Sequence, residues 1–212
     1  MKHLFLTTTA AAVLALAPAL SAAPPMRIAL LVDTSAATAS AIARIRGAVS
    51  AFLDALPPEH EVLLVTTGRR TQVRVPPTTD RTRLKENAGG MLPELGPTAL
   101  LDSLKAVDDR FMRKTSGDRL PVFVILTADG SENSHEVDQK GFNRWVDEIT
   151  FRGVSVNAIV LKTSANGVPE SIASGLAQIT HGHYASMGIA GNIAEAMAQL
   201  AARLGDDAAR RP

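Results

Sequence analysis

The chain has 212 residues, of which 22 are basic and 21 acidic, a formal charge of +1 and no cysteine. That near-neutral balance gives no electrostatic footprint for a nucleic acid or an anionic membrane. The lack of thiols excludes disulfides, thiolate metal ligands and a cysteine nucleophile.

The first residues carry an export signal pattern. Met1, Lys2 and His3 make a positively charged start, and an apolar run over residues 4–20 follows, broken by Thr7 to Thr9 and Pro18. Small residues Ala19, Ser21, Ala22 and Ala23 close it, which is the order of a cleavable secretory signal. A membrane span needs about 20 unbroken apolar residues, so an uncleaved anchor is the weaker alternative. Residues 1–23 are therefore expected to be removed, with cleavage between Ala19 and Ala23 and no stable membrane insertion afterwards. Roughly 190 residues then remain, the size of one domain with a substantial core. We assign that domain to residues 24–205 and a polar, frayed tail to 206–212. A secreted or periplasmic location follows, and a bacterial envelope is compatible with a disulfide-free exported chain.

Beyond the signal, strands and helices alternate. Residues 28–32 are continuously apolar, as in a strand buried on both faces. Ile42, Ile45, Val49, Phe52, Leu53 and Leu56 recur at helical spacing and predict a helix over 39–56, stopped by Pro57 and Pro58. Residues 62–65 read as a second buried strand. Gly68 and Arg69 form a tight turn into an alternating strand at 71–75, so this third strand is antiparallel and lies at an edge. Residues 76–95 are the least regular, with a short helix at 81–87. Helices are predicted at 98–111, 137–151 (closed by Gly153), 170–180 and 189–204. Strands are predicted at 122–126, 154–161 and near Tyr184. This pattern gives an α/β fold: a doubly wound, mainly parallel six-stranded sheet with one antiparallel edge strand and helices on both faces. Such sheets bind ligands outside the carboxyl ends of their strands.

Three segments at that edge are rich in oxygen donors. The first strand runs into Asp33-Thr34-Ser35-Ala36-Ala37. The helix after the irregular stretch opens with Gly96-Pro97-Thr98-Ala99-Leu100-Leu101-Asp102. The fourth strand runs into Thr127-Ala128-Asp129-Gly130-Ser131-Glu132-Asn133-Ser134. Carboxylates and hydroxyls without nitrogen or sulfur suit a hard divalent cation such as magnesium, manganese or calcium.

These segments resemble the von Willebrand factor type A domain family, whose metal-ion-dependent adhesion site reads Asp-x-Ser-x-Ser, then a distant Thr, then Asp-Gly. Asp33 and Ser35 match the first two positions, Thr98 the third segment and Asp129-Gly130 the last. The stretch 125–134 and the strand at 154–161 are also similar to the family, and the resemblance covers residues 27–204. It implies a Rossmann-like fold and a divalent cation, Mg2+ or else Mn2+ or Ca2+, held by Asp33, Ser35, Thr98 and Asp129. It further implies a partner protein whose acidic side chain completes the coordination shell. The match departs from the pattern at Ala37, which stands where the family has its second serine and cannot ligate. Water can fill that position on magnesium, at a cost in affinity. Ala128 replaces a hydroxyl residue common in the family, which removes a supporting hydrogen bond.

Two other functions compete with a metal-dependent, protein-binding module. One is a metal-independent interaction domain of the same fold, favoured by Ala37. The other is a hydrolase or phosphatase on a related α/β fold, since Asp33-Thr34 is similar to the start of an aspartyl nucleophile motif. That motif needs a second aspartate where Ser35 stands, no histidine is placed as a base for a serine, and no phosphate-binding glycine loop follows a strand. A non-enzymatic role is therefore expected. His181 and His183 read as exposed loop residues, Asp102 as a structural hydrogen-bonding group, Arg69 and Arg70 as a solvated hairpin tip and Trp145 as core.

Overall fold

A computed structural model describes residues 24–115, 118–163, 167–188 and 191–210. The expected export signal lies outside the described residues. In chain order the strands are β1 (Met26–Val32), β2 (Glu61–Thr67), β3 (Thr71–Thr78), β4 (Leu120–Ala128), β5 (Ser155–Lys162) and β6 (Tyr184–Gly188). The helices are α1 (Ile42–Ala55), α2 (Arg81–Gly89), α3 (Leu100–Val107), α4 (Gln139–Phe151), α5 (Val168–Ile179) and α6 (Ile193–Arg210).

The strands form one sheet in the order β3-β2-β1-β4-β5-β6. All neighbours are parallel except β2 and β3, which pair antiparallel as a hairpin at the edge. This is the expected α/β architecture. Although β1 is apolar throughout, its side chains still alternate between faces. Ile28, Leu30 and Val32 pack with Ile45, Phe52, Leu84, Met197 and Leu200 from α1, α2 and α6. Ala29 and Leu31 pack on the other face with Leu100, Leu104, Trp145, Ile149 and Leu176 from α3, α4 and α5. Each such large side chain contributes about 1.5–3 kcal/mol of burial free energy, and this two-sided core fixes where the strand ends lie.

Several elements differ from the sequence expectation for local reasons. The predicted helix over 39–56 begins as a 3-10 turn, Ala36–Ala41, before α1. There the Thr38 hydroxyl bonds to the carbonyls of Asp33 (3.1 Å) and Ser35 (2.9 Å), which draws the chain into a tighter winding. β3 continues through Pro76 and Pro77. An edge strand tolerates residues that lack an N–H, and its pairing with β2 is irregular near Val62 and Leu64. The helix predicted over 98–111 starts only at Leu100 and widens to a π-helical turn at Asp108–Met112. α6 runs through Asp206 and Asp207 to Arg210, where a frayed polar tail was expected; alanine and arginine are strong helix formers. Asp80 and Asp138, which the sequence reading did not single out, cap α2 and α4 by accepting from Arg83 and Gly141 N–H. Gly153 follows α4 with φ 67°, a conformation that favours glycine.

Two buried polar contacts lock elements away from the carboxyl ends of the strands. Asp108 is 0% exposed and accepts from the Trp145 indole N–H (2.9 Å) and from Arg152 (2.7 and 2.8 Å). His60 is buried, and its Nδ1 accepts from the Met26 N–H at 3.1 Å, tying the start of β1 to the loop before β2. Burial, with Arg81 and Arg119 nearby, pushes the His60 pKa below its ordinary 6.5, against a smaller opposing effect of Glu59.

Replacing Asp108 by alanine leaves the indole N–H and a partly buried guanidinium without their acceptor. We expect Asp108→Ala to lower unfolding free energy by about 3 kcal/mol in urea denaturation. Asp109→Ala, which removes a half-exposed partner of Arg113, should cost under about 1 kcal/mol. Equal costs would assign the anchoring to something other than the buried carboxylate. For His60, the unfolded chain takes up a proton near pH 6.5 while the folded chain does not. Its stabilising contribution is thus complete above 6.5 and is lost as pH falls from there towards the depressed folded value. Thermal melts at pH 7.5 and 5.5 should show a smaller loss on acidification for His60→Asn than for the unaltered protein. His183, also shifted down by burial, adds to the acid sensitivity of both proteins with the same sign.

Candidate functional site

The carboxyl ends of β1 and β4, adjacent and parallel, carry the two aspartates singled out in the sequence. Asp33 follows Val32, and its backbone N–H still bonds to the Leu126 carbonyl at 2.8 Å, continuing the pairing with β4. Its side chain is 1% exposed. Oδ1 accepts from the Ser35 N–H at 2.7 Å, and Oδ2 accepts from the Thr127 hydroxyl at 2.9 Å and the Ala128 N–H at 3.3 Å. Burial raises the Asp33 pKa, and these hydrogen bonds oppose the rise. The supporting bond whose loss Ala128 led us to expect is therefore supplied: the hydroxyl comes from Thr127, one residue earlier, and Ala128 contributes its backbone.

Asp129 is 0% exposed at the end of β4. Its N–H bonds to the Leu161 carbonyl of β5 at 3.1 Å. Oδ1 accepts from the Thr163 N–H at 2.8 Å and from the Thr163 hydroxyl. Oδ2 is buried without a hydrogen-bond partner among the described residues; the Lys162 ammonium lies 3.9 Å away and is itself bonded to Glu170. Two glycines allow the surrounding loops to close. A Cβ at Gly130 would stand 2.6 Å from the Ala37 Cβ, and one at Gly167 would collide with the carbonyl oxygens of Asp129 and Gly130.

Thr98, 1% exposed, sits just before α3 rather than within it. It forms a parallel bridge with Glu132: its N–H bonds to the Ser131 carbonyl (3.0 Å), and its carbonyl accepts from the Asn133 N–H (2.8 Å). Its hydroxyl donates to the Thr67 carbonyl at the end of β2 and lies 3.1 Å from the Thr67 hydroxyl; a hydroxyl oxygen has two lone pairs, so it can accept there and still face a cation. The loop after β4 is fastened to α3 by two carboxylates. Glu132 accepts from the Leu100 N–H at 3.1 Å, and Asp102 accepts from the His135 and Glu136 N–H groups at 2.9 and 3.1 Å. Asp102 is thus a structural hydrogen-bonding group, as expected.

Asp33, Ser35, Thr98 and Asp129 are therefore all buried in loops that bond to one another at a single edge of the sheet. The arrangement offers carboxylate and hydroxyl oxygens, the donor chemistry of a hard divalent cation. Thr163, Lys162 and Thr127 are the site residues that sequence reasoning did not single out as contributors. The available signal was position: Lys162 and Thr163 stand at and just past the end of β5, beside β4 in a doubly wound sheet. His181 and His183 precede β6 at the opposite edge; His181 is exposed with φ 55°, and His183 contacts Arg203 at 3.2 Å. Trp145 is core, at 1% exposure.

Comparison with known proteins agrees with this geometry. The sequence model of the von Willebrand factor type A domain matches residues 28–134. No curated protein matches the chain by sequence. Among solved structures, a von Willebrand factor type A protein from Catenulispora acidiphila is similar with a TM-score of 0.68 at 15% identity, over 84% of this chain and 42% of that one. The conserved hypothetical protein BatB from Bacteroides thetaiotaomicron has a TM-score of 0.65 at 15% identity, over 85% of this chain and 99% of its own. Proximal thread matrix protein 1 from the mussel byssus, in a structure with a zinc occupied MIDAS motif, has a TM-score of 0.67 at 17% identity, over 88% and 47% of the two chains. The chain thus spans less than half the length of the first and third of these proteins, and identities this low carry the fold alone. Together with the family match over half its length, the sheet order and the three converging loops establish that the chain belongs to the von Willebrand factor type A domain family.

Proposed function

We propose that this chain is an exported protein-binding module that engages an acidic side chain of its partner through a divalent cation. Asp33, Ser35, Thr98 and Asp129 would hold the ion, Mg2+ or else Mn2+ or Ca2+. The observation that carries this reading is the Asp129 Oδ2, fully buried at the carboxyl edge of the sheet without a hydrogen-bond donor among the described residues. A buried, unpartnered carboxylate oxygen is costly, and a cation beside it relieves that cost. When bound, the ion supplies an electrophilic position that a partner's carboxylate can fill. The chain's own residues orient the oxygens: Thr127, Ser35 and Ala128 fix Asp33, Thr163 fixes Asp129, and Thr67 fixes the Thr98 hydroxyl. No base or nucleophile accompanies them in a catalytic arrangement among the described residues, which favours a binding role over hydrolysis. Export rests on the signal pattern of residues 1–23.

One observation favours a metal-independent variant of the same role. The Lys162 ammonium stands 3.9 Å from Asp129 Oδ2, steadied by Glu170, which in turn accepts from the Tyr184 hydroxyl at 2.9 Å. That positive charge offsets part of the carboxylate's charge without any ion, and Ala37 removes one ligand.

A metal titration separates the two. At a hundredfold excess over its dissociation constant a bound ion stabilises the fold by about 2.7 kcal/mol, a Tm rise of several degrees. We expect Mg2+ or Mn2+ to produce that rise, EDTA to reverse it and Asp129→Asn to abolish it. No shift at millimolar metal would move the assignment to the metal-independent form. Ala37 packs against Gly130 inside the site wall. Ala37→Ser therefore places a hydroxyl there and should lower the metal dissociation constant; an unchanged constant would show that position 37 is outside the coordination shell.

A further inference from the structure

The tip of the β2–β3 hairpin and the loop over residues 92–96 meet beside the candidate site. Glu94 joins them. Its N–H bonds to the Thr34 carbonyl at 2.6 Å, its carboxylate accepts from the Thr34 hydroxyl (3.1 Å) and the Arg69 N–H (3.1 Å), and it lies against Gly68. Gly96, at φ 101°, accepts from the Ala36 N–H at 3.0 Å and lies under the stem of Arg69. Both Glu94 carboxylate oxygens are therefore held by donors of these segments, and cationic and apolar side chains lie around them. Leu92 and Leu95 are 70% and 86% exposed. Arg69 and Arg70 are exposed, and neither forms an ion pair among the described residues. A cleft of about 260 Å³ opens next to Leu92, lined by Thr34, Thr66, Gln72, Arg74, Leu92 and Glu94. Arg74, half-buried there, also has no ion-pair partner among the described residues.

Two largely exposed leucines on one short loop offer apolar surface to a partner, and cationic groups flank that loop: Arg74 lines the cleft with Leu92, the Arg69 stem lies over Gly96, and Arg70 is exposed next to Arg69 in the hairpin tip. We infer that this face docks a protein segment in which carboxylates alternate with apolar side chains. The arginines receive the carboxylates, and Leu92 and Leu95 receive the apolar groups. The surface abuts the candidate cation site through the Thr34 and Ala36 bonds. The inference thus extends the partner-binding reading of this edge, but it does not depend on the ion. It gives the partner a chemistry, acidic and amphipathic, and it gives the hairpin tip a role beyond solvation.

The test uses a fluorescein-labelled synthetic peptide of alternating Asp or Glu with Leu or Phe, read by anisotropy on the purified protein. Control peptides replace the acids by Lys or the apolar residues by Ser. The acidic amphipathic peptide should bind, and both controls should bind at least tenfold more weakly. Arg69→Glu with Arg70→Glu, Arg74→Glu, and Leu92→Ser with Leu95→Ser should each weaken binding by about tenfold. Phe151→Ser, which removes a more exposed apolar group at the opposite edge of the sheet, should leave it within about twofold. The inference is overturned by absent binding, by equal binding of the control peptides, or by variants indistinguishable from the unaltered protein. Repeating the titration in EDTA separates the two readings. Binding that survives chelation and still responds to the arginine and leucine substitutions supports this surface while removing the cation from the interaction.

Discussion

The hydrogen bonds that Asp33 draws from the end of β4 are the constraint on which the site depends. A carboxylate that follows a buried strand has lost its water, and it remains charged only where the protein supplies donors in replacement. Here those donors belong largely to the neighbouring strand: the Thr127 hydroxyl and the Ala128 N–H meet Oδ2. The same contact therefore solvates one aspartate and sets the height at which Asp129, the next residue, emerges. Parallel pairing of Val32 with Leu126 makes this possible, because parallel strands deliver their carboxyl ends to one side.

From this contact the rest of the edge follows outward. Asp129 turns to β5 and is held by Thr163, so the order β1-β4-β5 becomes a chain of carboxylate contacts. On the other side Thr98 is clamped between Thr67 of β2 and the loop after β4. Glu132 and Asp102 then tie that loop to α3 through backbone N–H groups. Rigid strands supply position, and short polar side chains convert position into orientation. The loop that carries Leu92 and Leu95 rests on this frame through Glu94, so its apolar residues are presented outward by a fixed support.

What the sequence discloses and what it withholds divide along a physical line. Strands β1, β4 and β5 are evident because fully buried parallel strands must be apolar throughout, and the hairpin of β2 and β3 is evident from Gly68 and the alternation after it. The segments that carry Asp33, Ser35, Thr98 and Asp129 stand out because they follow or precede elements at the carboxyl edge of the sheet, and the resemblance to the von Willebrand factor type A family picks these four residues out of them. By contrast, the 3-10 opening of the first helix depends on where the Thr38 hydroxyl finds carbonyls, and the π-helical turn accompanies Asp108 in its buried contacts with Trp145 and Arg152. Neither is a property of local propensity. Lys162, Thr163 and Glu94 stay hidden for a similar reason: each comes from a segment whose neighbour is decided by sheet order, and their residue types are ordinary in exposed turns.

The outer strand β3 has a consequence of a different kind. Pro76 and Pro77 sit in a strand with only one neighbour, and proline has no amide proton to offer. Consecutive N–H groups of a strand face opposite sides, so one of the two prolines takes a donor from the outer edge, where a second copy would have to pair. The far boundary is a strand of five residues, too short to template a long continuation. Both margins therefore disfavour extension of the sheet beyond its four apolar central strands.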